Sequence, residues 1–271
     1  MEKIERAARR IRHELKFRLL QVRAVKPVTP RLLRVTLGGD DLAGFVSAAY
    51  DDHVKLFFPA PGQERPAVPS PGPNGMVFPE GQPRPPARDY TPRRYDPAAG
   101  ELDIEFALHG DGPAAEWAQQ AAVGQYLGVG GPRGSFVVDG AFDGYLLVGD
   151  ETALPAIARR LEELPADARA TVVVEVADAA EEQVFSTRAQ AQVHWIHRNG
   201  AQPGNPELLA GAVSALRKPE GDWYVWVAAE SGVAKRVRQI LVQNWQVPKE
   251  WIKAAGYWKQ GASATHENHE D

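Results

Sequence analysis

Near Asp143 the periodicity of the chain changes, and that change constrains the fold more than any other feature. Before it come six short alternating or apolar runs broken by proline and glycine, at residues 17–30, 31–37, 51–59, 87–96, 100–110 and 124–138. Runs of that length at near-regular spacing predict an antiparallel barrel or sandwich. After Asp143 the runs are longer and wholly apolar, and each leads into a helical pattern. YLLVGD is followed by ALPAIARRLEELP, and WYVWVAAE by SGVAKRVRQILVQNW, with TVVVEVAD and QVHWIHR between them. Strands alternating with helices predict a parallel sheet covered on both faces. The fold class is therefore β plus α/β. An antiparallel β-barrel over 19–141 precedes an open parallel-sheet α/β domain over 142–261, and 271 residues suffice for two such domains.

Three segments fall outside that scheme. Residues 1–18 place Lys3, Arg6, Arg9, Arg10, Arg12, Lys16 and Arg18 around Ile4, Ala8, Ile11 and Leu15 at helical spacing, which predicts a basic amphipathic helix packed on the domain edge. Residues 59–86 are rich in proline, which cannot donate to a sheet ladder, and are expected to form a long, exposed, mobile loop. The polar stretch 262–271 is expected to be a frayed tail.

Composition removes several classes of function. The chain has no cysteine, so disulfides, thiol nucleophiles and thiolate-held zinc or iron–sulfur centres are excluded. Redox chemistry would need a bound organic cofactor, or a metal held by histidine and carboxylate. The cysteine-free composition fits a reducing cytoplasm. With 31 Lys and Arg against 35 Asp and Glu, the net charge of −4 argues against nucleic acid as a partner. No run of ~18 apolar residues is present to insert stably in a membrane.

Two neighbouring stretches carry candidate binding chemistry. Alternate side chains on a strand share a face, so Arg88 and Tyr90 in R-D-Y-T-P-R point together. A guanidinium grips phosphate as a fork and an aromatic ring stacks on a flat ligand, while the hydroxyl or amide of Thr91 can bond the ligand's polar edge. Next comes a strand, a glycine-rich turn and a helix that opens on Pro113. Free amides and the helix dipole there favour an anion. Taken alone, each stretch also fits an ordinary strand with a surface arginine or a plain strand–helix connection; together they resemble a pyrophosphate cradle. His194 and His197 lie three apart in an expected strand and so point to opposite faces, and His266 and His269 sit in the tail, so no metal site is expected. No nucleophile-elbow or Walker sequence is present.

Arg88–Arg93, Ala107–Ala118, Val148–Ala156 and Gly256–Gly261, together with Asp51–Pro59, resemble in order the motifs of the siderophore-interacting proteins over roughly residues 17–261. That family consists of FAD-dependent ferric-siderophore reductases within the ferredoxin–NADP reductase superfamily. The resemblance implies an FAD-binding barrel and an NAD(P)H-binding-like α/β domain. It implies that Arg88 grips an FAD phosphate, that Tyr90 stacks on the isoalloxazine and that Thr91 bonds near its reactive nitrogen. Ala107, Leu108, His109, Gly110, Pro113, Ala114 and Ala115 would hold the ribityl chain and pyrophosphate, with Trp117 packed beneath. Asp150, Glu151, Thr152 and Ala153 follow the first α/β strand and would meet either the adenosine of FAD or the nicotinamide nucleotide.

Two positions depart from the family pattern. Ala115 stands where serine is common, which removes one hydroxyl contact to phosphate. The first α/β turn reads G-D-E-T-A-L-P in place of the glycine-rich dinucleotide fingerprint, so NADH or NADPH as donor rests on the resemblance. A cluster of cations at the flavin mouth would draw in anionic chelates. The resemblance suggests Lys55 and Lys259 for it, with Arg133 and Lys235 as further candidates; for these last two a solvated surface charge is the simpler account. The expected activity is reduction of a ferric siderophore through FAD, with no side chain as acid or base. A flavin reductase with another acceptor, a siderophore- or flavin-binding protein without catalysis, and a flavin-free protein are the alternatives. A monomer or weak oligomer is expected.

Overall fold

The computed structural model describes residues 7–73, 75–108, 112–139, 142–261 and 267–268. The chain divides between Asp139 and Gly140 into two compact units.

The first unit contains β1 (Ala7–Arg12), β2 (Phe17–Thr29), β3 (Leu32–Gly38), β4 (Val54–Phe57), β5 (Ser70–Gly72), β6 (Gly75–Val77), β7 (Ala87–Tyr90), β8 (Pro92–Asp96), β9 (Glu101–Ala107), helix α1 (Pro113–Gln119), β10 (Tyr126–Gly130) and β11 (Gly134–Asp139). Seven strands form one antiparallel sheet in the order β7-β4-β10-β2-β3-β9-β8. β7 and β8 occupy opposite edges of that sheet, yet only Thr91 separates them in the chain. Neighbouring Cα atoms cannot lie more than about 3.8 Å apart, so the sheet must curl until its edges meet at Thr91. Leu20, Val22, Val35, Leu37, Leu56, Ile104 and Val129 fill the interior, the inward half of each alternating run.

The basic segment at the N-terminus departs from expectation. Residues 7–12 form a strand, paired antiparallel with β11 from Ala7↔Asp139 to Arg12↔Gly134, and Phe17 and Arg18 belong to β2. Helical spacing of Ile11 and Leu15 is a weak preference, and a partner strand with unpaired backbone groups overrides it. The proline-rich stretch is also more ordered than its composition implies. β5 and β6 form a hairpin within it. Pro66, Ala67 and Pro69 are buried, Phe78 meets Phe57, and Arg65 lies over the ring of Tyr126. Proline lacks a donor but is apolar, so it can anchor a loop it cannot ladder.

The second unit contains β12 (Gly144–Gly149), α2 (Leu154–Glu163), β13 (Arg169–Val176), β14 (Gln190–His197), α3 (Pro206–Ala215), β15 (Trp223–Glu230), α4 (Ser231–Asn244), β16 (Ile252–Trp258) and β17 (Glu267–Asn268). The sheet order is β14-β13-β12-β15-β16-β17, with the first five strands parallel. β12 and β15 are buried at every position because helices cover both faces, which is why their sequences do not alternate. Part of the stretch expected to fray is paired: Glu267 and Asn268 lie against Gly256 and Ala255. The rest of that tail and residues 1–6 lie outside the described residues. Among the described residues no helix is long and apolar enough to cross a membrane.

Candidate functional site

In the first unit the candidate residues gather where the barrel closes. The register of β7 on β4 sets Tyr90 opposite Val54 and Arg88 opposite Leu56, so these four share one face. The Tyr90 ring lies 4.6 Å from that of Phe106 on β9. Phe106 in turn lies 5.6 Å from Trp117 of α1, and Trp117 lies 5.9 Å from Phe58. Burial pushes the Tyr90 hydroxyl above its usual range, against a smaller lowering by Arg88. Thr91, at the closure, is buried. Arg88 donates to the carbonyl of Ala87 at 2.8 Å and keeps a half-buried guanidinium.

Helix α1 packs against β7 and β9. Pro113 occupies its first turn, and Gly112 at the cap provides no side-chain acceptor. A Cβ built on Gly112 would meet nothing within 4 Å among the described residues. Ala114, Ala115 and Trp117 are buried, while Leu108 and Pro113 are partly so. His109 and Gly110 lie outside the described residues. The chemistry of the described residues suits FAD: a half-buried guanidinium, an apolar-backed ring, a hydroxyl at the closure and a helix start without a side-chain cap.

The cationic candidates are divided between the two units. Lys55 stands opposite Asp89, on the other face of β4–β7 from Tyr90, and its ammonium is 2.6 Å from the Asp89 carboxylate. Arg133 is exposed, just before β11, and its carbonyl accepts from the amide of His13. In the second unit Lys235 is exposed on α4 and Lys259 is exposed just after β16.

The carboxyl ends of the parallel strands in the second unit carry an acidic group that sequence reasoning only half found. Strand order reverses between β12 and β15, and ligands of open α/β sheets bind at such a point. There the Asp150 carboxylate accepts from the amide and hydroxyl of Thr152 at 2.9 and 2.5 Å, from the amide of Glu230 at 3.1 Å and from the indole of Trp258 at 2.8 Å. Glu230 caps α4, accepting from the amides of Gly232 and Val233 at 2.6 and 3.1 Å. Glu151 is held by Arg198, and Arg198 also reaches Glu175. Ala153 is buried against the strand end, where a Cβ on Gly149 would come within 2.3 Å of its own Cβ. Glu175, Arg198 and Glu230 escaped the sequence reading, and Trp258 entered it only as part of the Gly256–Gly261 motif. Glu230 bore the one usable signal, an acceptor side chain at the boundary between an apolar strand and a helix.

A curled antiparallel sheet followed by a five-stranded parallel unit defines the ferredoxin-reductase class of fold. The ferredoxin reductase of carbazole 1,9a-dioxygenase shares that fold at a TM-score of 0.62 and 17% identity, covering 88% of this chain and 68% of that one. Residues 21–136 match the siderophore-interacting FAD-binding domain and residues 142–261 match the siderophore-interacting protein domain. The chain belongs to the siderophore-interacting protein family. It is 35% identical to an NADPH-dependent ferric-chelate reductase of Escherichia coli, over 95% of this chain and 99% of that one. It is 36% identical to the ferric vibriobactin reductase ViuB of Vibrio cholerae, over 92% and 93%. A siderophore utilization protein from T. fusca superposes with a TM-score of 0.89 at 42% identity, covering 96% and 98%.

Proposed function

We propose that this protein binds FAD in its first unit and passes electrons from NADPH or NADH to the Fe(III) of a ferric siderophore. The observation that carries the reading is the convergence of Arg88, Tyr90 and Thr91 at the barrel closure with the uncapped start of α1 packed alongside. Arg88 and the amides of Ala114 and Ala115 take the phosphates, Tyr90 offers its ring with Phe106 behind it, and Thr91 bonds the polar edge. What FAD supplies there is the conversion of a two-electron hydride donor into one-electron reduction. One NADPH therefore serves two ferric ions and leaves NADP⁺ and one proton. Fe(II) is held far more weakly than Fe(III) by hard oxygen chelators, so reduction releases the metal.

Asp150, Glu151, Thr152 and Ala153 form the turn past which the nicotinamide nucleotide enters, and the E. coli relative supports NADPH as the donor. Lys55 and Lys259 supply positive charge for an anionic chelate, Lys55 by exchanging Asp89 for it, while Arg133 and Lys235 fit solvated surface charges. The cysteine-free chain suits the reducing cytoplasm, where we place the reaction, and a monomer or weak oligomer suffices because each unit has its own core.

Anaerobic titration of the purified yellow protein tests this. NADPH or NADH bleaches the flavin absorbance, and a ferric siderophore then restores it with release of Fe(II). A flavin that either nucleotide leaves oxidised, or ferric chelates reduced no faster than by free reduced flavin, overturns the reading.

A further inference from the structure

We propose that Arg198 is a positioning residue for the electron donor, anchoring the turn at the end of β12, and that Glu175 beside it makes the crevice more or less repellent to an anionic nucleotide. The inference rests on the reading that NADPH or NADH enters the second unit.

Arg198 follows the edge strand β14 and is only 7% exposed. Its amide donates to the carbonyl of Val176 at 3.0 Å, which fixes its backbone against the end of β13. From there the guanidinium reaches past β13 to the turn after β12. It grips both oxygens of Glu151, at 2.7 Å and 2.6 Å, and donates to Glu175 at 3.3 Å. One side chain thus ties together the carboxyl ends of three adjacent strands. A bidentate fork fixes orientation as well as distance, so it holds the Glu151 backbone in place. Glu151 sits between Asp150, which is bonded to Glu230 and Trp258, and Thr152, which is bonded to Asp150. The Glu151 carboxylate is therefore committed to Arg198 and acts on the donor through the turn.

The charge balance gives the second half of the argument. Asp150, Glu151, Glu175 and Glu230 stand at these strand ends with Arg198 as the cation bonded to two of them. Burial pushes the Glu175 carboxyl up to about 7, with Asp150 and Glu151 adding to the rise and Arg198 opposing it. In the connection after β13, Asp178 accepts from the amide of Ala180 and Glu181 is buried. His197 is 2.8 Å from Glu182, and Glu207 is exposed at the start of α3. On α2, Arg159 pairs with Glu163 at 2.8 Å and Arg160 lies over the ring of Tyr145. Glu175 therefore gains its charge near neutral pH, buried at the strand ends past which the nucleotide is proposed to enter.

The test measures donor affinity of the FAD-loaded protein, by anaerobic flavin reduction with NADPH and by calorimetry with NADP⁺, from about pH 6 to about pH 8. The wild type is expected to lose affinity about three- to ten-fold across that range. Glu175→Gln, which is nearly isosteric, is expected to keep the tighter affinity throughout. Arg198→Met is expected to weaken the donor at every pH, with Arg198→Lys recovering part of the loss because charge returns without the fork. FAD content, read from absorbance, is expected to stay as in the wild type in all three; loss of FAD in Arg198→Met would assign the turn to the adenosine of FAD and overturn the inference. Equal pH dependence in wild type and Glu175→Gln, or donor affinity unchanged in Arg198→Met, overturns the inference. Failure of NADPH and NADH to reduce the flavin at any pH overturns the proposed function instead. If Arg198→Met does not fold, the Glu175→Gln comparison decides alone.

Discussion

The rings of Tyr90 and Phe106 lie 4.6 Å apart at an angle of 44°, one on β7 and the other on β9, near opposite edges of the curled sheet. Tyr90 is thus backed by a fully buried neighbour, which holds it flat against whatever stacks on its other side. Phe106→Leu removes the aromatic backing with modest loss of volume. We expect about 1–2 kcal/mol of destabilisation and weaker FAD retention, read as Tm and as flavin lost on gel filtration. Tyr90→Phe keeps the ring and should retain FAD, whereas Tyr90→Ala should not.

Arg88 donates to the carbonyl of Ala87 on its own strand, and its guanidinium is the group we propose for an FAD phosphate. Arg88→Ala should weaken FAD by about ten- to a hundred-fold, since charge-assisted hydrogen bonds contribute about 1.5–3 kcal/mol. Arg88→Lys should recover only part of this, because an ammonium has no fork. Fluorescence titration of the apoprotein with FAD measures both.

Asp89 holds the Lys55 ammonium at 2.6 Å in a partly exposed pair. Such pairs contribute about 0.2–1 kcal/mol, so Asp89→Asn should lower KM for an anionic ferric chelate by up to about five-fold at low salt. Lys55→Ala should raise it. An unchanged KM in both variants would remove Lys55 from the chelate site.

Glu175 also links stability to pH. Its folded-state value, about 7, lies above the ordinary 4.5, so the folded protein binds this proton more tightly than the unfolded chain. Its contribution is therefore fullest below about 4.5 and declines as pH rises toward about 7. Glu175→Gln should flatten that part of the Tm–pH profile and raise Tm relative to wild type above neutrality. Scanning calorimetry across the range checks both.

Local chemistry made the two-unit architecture legible and set Arg88 and Tyr90 on one face, while FAD itself came from the family resemblance. Alternation with proline and glycine breaks specifies short antiparallel strands, and continuous apolar runs specify strands covered on both faces. Arg88 and Tyr90 share a face because side chains alternate along any strand, which needs no tertiary knowledge. The N-terminal segment was misread for the converse reason. Helical spacing at Ile11 and Leu15 is a local property, while pairing of Ala7–Arg12 with Gly134–Asp139 depends on a strand more than a hundred residues away.

The amino-acid sequence alone determined the change from barrel to α/β texture, the lack of thiol chemistry and the arginine–tyrosine–threonine run. Each of these is a matter of residue type and short-range spacing. Only the tertiary structure decided that Thr91 joins the two edges of a sheet, that Lys55 belongs to Asp89, and that Arg198 gathers Glu151 and Glu175 at the ends of three strands. These partners are between 23 and 47 residues apart in the two Arg198 pairs and 34 apart for Lys55 and Asp89. Strand order, which sets such meetings, comes from packing the whole chain and leaves no mark at any single position.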